Sequence, residues 1–114
     1  MTMFFAFAAA LPEDGRLDWG GDSAFNRPNQ ALLPPLEIGE RGWAACWRRL
    51  DPAGAEGRVI DGAAVALKLG SAALRTLLEE FGEGRAGPGG GADYYVLADA
   101  MGSDERIALI AYEV

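Results

Sequence analysis

Two acidic groupings are the residues of this chain whose types and spacing come closest to a functional site. Asp14, Asp18 and Asp22 share a glycine-rich stretch with Trp19. An aromatic ring beside carboxylates is the composition of a surface that takes an Arg or Lys side chain, by cation–π contact and ion pairing. The second grouping is Glu79, Glu80 and Glu83, at the end of a helical pattern. Negative charge there opposes the helix dipole by a few tenths of a kcal/mol per residue when exposed. A basic partner would give that charge a purpose that stability alone does not. Both groupings also have a plain reading: a solvated acidic turn with Trp19 folded inward, and a tolerated surface cluster. The aspartates lack the spacing and terminal Glu of an EF-hand loop, so no metal site is assigned.

The rest of the chemical inventory mainly excludes. There is no histidine, which removes the commonest general base and metal ligand together with the motifs built on it. Cys46 falls on the apolar face of a Trp-rich helical pattern and reads as a small buried hydrophobe. Ser23, Ser71 and Ser103 stand in turn or cap contexts, and no Gly-x-Ser-x-Gly is present. The run from Gly82 to Gly87 has the letters of a dinucleotide-binding pattern, but it follows a helix, where the mechanism needs strand, turn and helix N-terminus. No cofactor is expected, and the chain reads as non-enzymatic.

Composition narrows the partners. Half of the 114 residues are apolar and the formal net charge is −7. Such a field repels phosphate backbones and anionic headgroups, so direct nucleic-acid and membrane binding are disfavoured and a protein with a basic surface is favoured. Solubility alone is the competing account of the acidity. The single cysteine excludes an internal disulfide and leans towards a cytoplasmic location. The N-terminal apolar run lacks the basic flank of a signal peptide and reads as a strand.

These residues must be positioned by a single domain spanning 1–114. The stretch 58–81 organises it: an apolar run, an Asp61-Gly62 turn, and a second run in which Val65, Leu67 and Leu69 alternate with smaller or polar residues. Gly70 closes that strand and Ser71 is placed to cap a helix in which Leu74, Leu77, Leu78 and Phe81 recur at helical spacing, with Gly82 as its stop. A single helix over 61–81 is the rival reading. Upstream, residues 2–11 are apolar on both faces, as in a central strand. Residues 12–35 form a long loop, and Trp43, Cys46, Trp47 and Leu50 mark a helix over 39–50 with Arg48 and Arg49 in its last turn. Downstream, 83–92 is a Gly-rich connector, and 93–101 and 106–114 read as two strands of a hairpin, with Tyr94 and Tyr95 on opposite faces.

The expected fold is therefore α+β: a mostly antiparallel sheet of about five strands with two helices on one face, in the order β-α-β-β-α-β-β, resembling a split βαβ arrangement. Two helices on one side leave a second apolar face to be covered by the 12–35 loop, a second copy of the chain or another partner. The leading functional expectation is a small acidic protein-binding module, such as an inhibitor or immunity protein acting on a basic or nucleic-acid-handling protein. The alternative is a homodimeric ligand-binding or regulatory domain.

Overall fold

The computed structural model describes residues 2–11, 32–52, 56–61, 64–82 and 91–114. Their elements are β1 (Phe4–Ala9), β2 (Leu36–Glu37), α1 (Gly39–Trp47), β3 (Gly57–Asp61), β4 (Ala64–Leu69), α2 (Ser71–Glu80), α3 (Gly91–Ala100) and β5 (Ile107–Glu113). The strands form one five-stranded sheet in the order β2-β1-β5-β4-β3. Every ladder in it is antiparallel. The class is α+β, as the sequence pattern implies.

Strand position follows hydrophobicity. β1 and β5 are apolar at consecutive positions and lie inside the sheet, where both faces are removed from water. Their register pairs Ala6 with Ala111, Phe7 with Ile110 and Ala8 with Leu109. One face of the sheet carries Ala6, Ala8, Val65, Leu67, Leu69, Leu109 and Ala111, packed with Cys46 of α1, Leu74, Leu77 and Leu78 of α2, and Tyr94, Tyr95 and Ala98 of α3. The other carries Phe7, Ala9, Ala66, Ala108 and Ile110, buried in a second cluster to which no described helix contributes. Residues 12–31, the larger part of the loop expected to cover that face, lie outside the described residues. Its described end runs along β1 instead: the Leu32 amide donates to the Ala8 carbonyl at 2.7 Å, and Leu33 packs on the helix-covered face.

The β3–β4 hairpin forms, and the single-helix alternative over 61–81 does not. Asp61 belongs to β3 and pairs with Ala64 across a register shift, so the connecting residues are 62 and 63, which lie outside the described ones, and not Asp61-Gly62. The shift leaves one extra residue on β3 between Val59 and Asp61, which moves the two-residue connection one position along the chain. α2 buries its leucine stripe as its spacing requires, and Gly82 follows in the left-handed region with φ 76°.

The C-terminal third departs from the expected order. Residues 93–101 belong to a third helix and its end, not to a strand. Tyr94 and Tyr95 are both buried, with Ala98 and Met101 following at helical spacing, while Val96 is exposed. The run is apolar almost all round, so periodicity does not separate helix from strand, and the tyrosines' preference for sheets misleads. The neighbouring place on β1 is filled by the two-residue β2, which supplies the fifth strand. The hairpin expected at 102–105 is accordingly a helix-to-strand connection, and Gly91 and Ala92 of the expected connector belong to α3. β1 and β3, which precede and follow α1, run antiparallel with β5 and β4 between them, where a split βαβ unit has its two strands parallel with one strand between.

Candidate functional site

Of the acidic residues favoured by the sequence, Glu79 and Glu80 are the ones that fall among the described residues. Asp14, Asp18, Trp19, Asp22 and Glu83 lie outside the described residues. Glu79 is exposed on α2. Glu80 is turned towards Arg48, the residue that closes α1, with its carboxylate 3.5 Å from the guanidinium. That pair ties the ends of two helices together and gives Glu80 a local structural explanation. Helix α1 ends at Trp47, so Arg48 and Arg49 follow its last turn. Cys46 is fully buried, and desolvation pushes its thiol from 9.0 up to about 12, against a smaller opposing pull from Arg49. It is inert as a nucleophile at neutral pH. Among the described residues no group of three or more His, Cys, Asp or Glu could hold a metal ion. No described helix is long and apolar enough to cross a membrane.

What the described residues gather is positive charge. A cleft of about 610 Å³ opens where β4 passes into α2, and among the described residues four basic side chains, Arg49, Lys68, Arg75 and Arg106, line it with a single acid, Glu56. The antiparallel register explains part of the gathering. Leu69 at the end of β4 pairs with Ile107 at the start of β5, which brings Gly70 beside Arg106. A β-carbon on Gly70 would lie 3.0 Å from the Arg106 Nη1, so the bare backbone there is what lets the guanidinium lie over the start of α2. Lys68 pairs with Ala108 on the face away from the helices, and it borders the cleft from across the sheet plane. Its amide donates to the Glu56 carbonyl at 2.8 Å, which fixes the opposite wall. The Asp51 carboxylate holds that wall in place by accepting from the amides of Glu56 and Gly57.

The start of α2 is open towards this cleft. The cap position is Gly70, in extended backbone, and no side chain accepts from the first amides of the helix. Ser71, expected to be the cap, is the first helical residue, and its hydroxyl donates to the Ala98 carbonyl of α3 at 2.7 Å. Packing of α3 on α2 has thus taken the capping group away. The amides of Ser71, Ala72 and Ala73 precede the first helical bond, from Leu74 to Gly70. Such amides attract negative charge both as donors and through the helix dipole.

Of the basic side chains, Arg75 is ion-paired with Asp99 of α3, and Arg106 donates to the Glu105 backbone carbonyl. Among the described residues no carboxylate forms an ion pair with Arg49, Lys68 or Arg106, and Glu56 forms none either. Chemically the described lining offers charge-assisted donors and one carboxylate, the equipment for holding an anion. Among the described lining residues no nucleophile stands beside a base.

Sequence reasoning missed all of these residues, because 26 to 57 positions separate Arg49 from Arg75 and Arg106. The available signal was positional: Lys68 lies next to the end of one apolar strand and Arg106 immediately before the start of another, and antiparallel pairing sets those ends side by side. Comparisons with protein-family models, curated proteins and solved structures found no match, so the site is read from its own geometry.

Proposed function

We propose that this protein is a non-enzymatic ligand-binding domain that holds a small anionic ligand in the cleft at the start of α2. The observation that carries the reading is the concentration of charge: a chain of net charge −7 places four of its ten basic residues around one cleft, with one acid among the described lining residues. Like charges brought together repel, and a bound anion offsets that cost while satisfying the uncapped amides of Ser71–Ala73. This corresponds to the alternative of the sequence reading, a ligand-binding α+β domain. The same acidic exterior disfavours nucleic acid, whose many phosphates would meet the whole field of the protein; a small ligand meets only the cleft. The acidic protein-binding module retains the support of composition, and the homodimer adds nothing that the cleft requires.

Titration of labelled protein with inorganic phosphate and with sulfate, followed through backbone amide shifts, tests the reading. Saturable shifts centred on residues 70–73 and on Arg106 are expected. Dissociation constants on the order of micromolar to millimolar correspond to a few charge-assisted hydrogen bonds at a partly solvated site. Arg106→Ala is expected to weaken binding by at least about tenfold, the equivalent of one such bond. Linear, non-saturating shifts spread over the basic residues at large would refute the proposal.

A further inference from the structure

We infer that the ligand of this cleft is a hydroxylated phosphomonoester, a sugar or polyol phosphate, rather than a bare anion or a nucleotide. The inference rests on the anion-binding reading above and draws on three further features of the same walls. The first is size. About 610 Å³ falls within the range of roughly 300–1,000 Å³ typical of sites for whole organic molecules, so an anion seated on the α2 amides leaves most of the cleft for a larger body.

The second is what the rest of the cleft presents. Among the described residues no aromatic side chain lines it, so a nucleobase would find no aromatic ring to stack on. Among the described residues its apolar lining is Leu69 and the small residues Ala72 and Ala73, with Gly70 beside them. That is too little to bury an acyl chain or a ring system.

The third is Glu56. A carboxylate facing a cationic cleft repels any ligand that is only an anion. It becomes favourable when the ligand also carries hydrogen-bond donors, because an ionised carboxylate accepts and cannot donate. Glu56 has no ion-pair partner among the described residues, and the exposed Ser103 adds a hydroxyl that can both donate and accept. The wall holding Glu56 is joined to β4 through the Lys68 amide, while Arg106 lies over Gly70 at the start of α2. A ligand with phosphate at one end and hydroxyl groups at the other matches this division of charge.

The experiment is calorimetric titration of the full chain with inorganic phosphate, glycerol phosphate, a hexose phosphate, the same hexose without phosphate, and adenosine monophosphate, repeated on Glu56→Gln and Arg106→Ala. The expected result is binding of at least one hydroxylated phosphomonoester about tenfold or more tighter than inorganic phosphate, the ratio supplied by one charge-assisted hydrogen bond. Glu56→Gln should bring that ratio down towards one, since it exchanges the charge-assisted acceptor for a weaker neutral one and removes the repulsion of the bare anion. Arg106→Ala should weaken every phosphorylated ligand. Equal affinity for inorganic phosphate and the sugar phosphates, tighter binding of adenosine monophosphate, or a preference that survives Glu56→Gln would overturn this inference and leave the anion-binding reading standing. Failure of every phosphorylated ligand to bind, or binding indifferent to Arg106→Ala, would overturn both. Far-UV circular dichroism of each variant separates these outcomes from misfolding.

Discussion

Tyr94→Phe probes how α3 is held to the sheet. The Tyr94 hydroxyl accepts from the Ala8 amide at 3.3 Å and donates to the Pro34 carbonyl at 2.7 Å, joining the third helix, the part of β1 beyond its pairing with β2 and the segment leading into β2. Phenylalanine keeps the ring and its packing, so the substitution removes two hydrogen bonds without opening a cavity. The two losses differ in kind. Pro34 is exposed, and its carbonyl regains water at a cost of about 1 kcal/mol; Ala8 is fully buried, and an orphaned amide there costs about 1–3 kcal/mol. The 3.3 Å separation marks the Ala8 bond as the weaker one, which places the sum near 2–3 kcal/mol. For a domain of this size that is a fall in Tm of roughly 8–12 °C, at about 4 °C per kcal/mol. Urea unfolding should show a lower midpoint at unchanged slope, and native-state hydrogen exchange should speed up at Ala8 and Leu32 before it does at β5. A loss below about 0.5 kcal/mol, within the range of an ordinary surface change, would refute the bridging role of the hydroxyl.

Three further outcomes follow from the packing and the charges. Gly42→Ala places a β-carbon 2.7 Å from the Ile38 and Phe81 side chains, and the overlap, worth about 1–3 kcal/mol, should outweigh the roughly 1 kcal/mol helix gain, so that chemical denaturation shows a net loss. Cys46 binds its proton more tightly folded than unfolded, so stability should be complete below about pH 9 and decline towards pH 12, by up to about 1 kcal/mol per pH unit; Cys46→Ala should flatten that decline in pH-dependent urea midpoints. Tyr94, raised above its ordinary value chiefly by burial, acts in the same direction above about pH 10. Arg48→Ala, which breaks an exposed ion pair, should change stability by less than about 1 kcal/mol and lose even that effect at high salt.

Much of the scaffold was legible in the residues because local pattern and final environment agree there. Leu74, Leu77, Leu78 and Phe81 recur at helical spacing and all four are buried. The unbroken apolar run from Ile107 to Ala111 occupies the middle of the sheet, and Cys46 takes the buried place that its neighbours imply. Agreement failed at 93–101, where the residues are apolar on nearly every side and no period separates helix from strand. It failed again at Ser71, which has the type and position of a cap yet spends its hydroxyl on α3. Within the second acidic grouping, Glu80 answers Arg48 across two helix ends, a partner that composition alone does not name.

By itself, then, the sequence determined the class, the central strands, the leucine helix and the hairpin, since each depends on a repeat of two or 3.6 residues within one short segment. Only the tertiary structure decided which segment completes the sheet beside β1 and where charge collects. Lys68 and Arg106 become neighbours through the pairing of Leu69 with Ile107, and Gly70 leaves the space in which the Arg106 guanidinium lies over α2. A local pattern records which face a residue turns to the core; it carries no record of which distant residue shares that place, because that is set by strand register and helix packing.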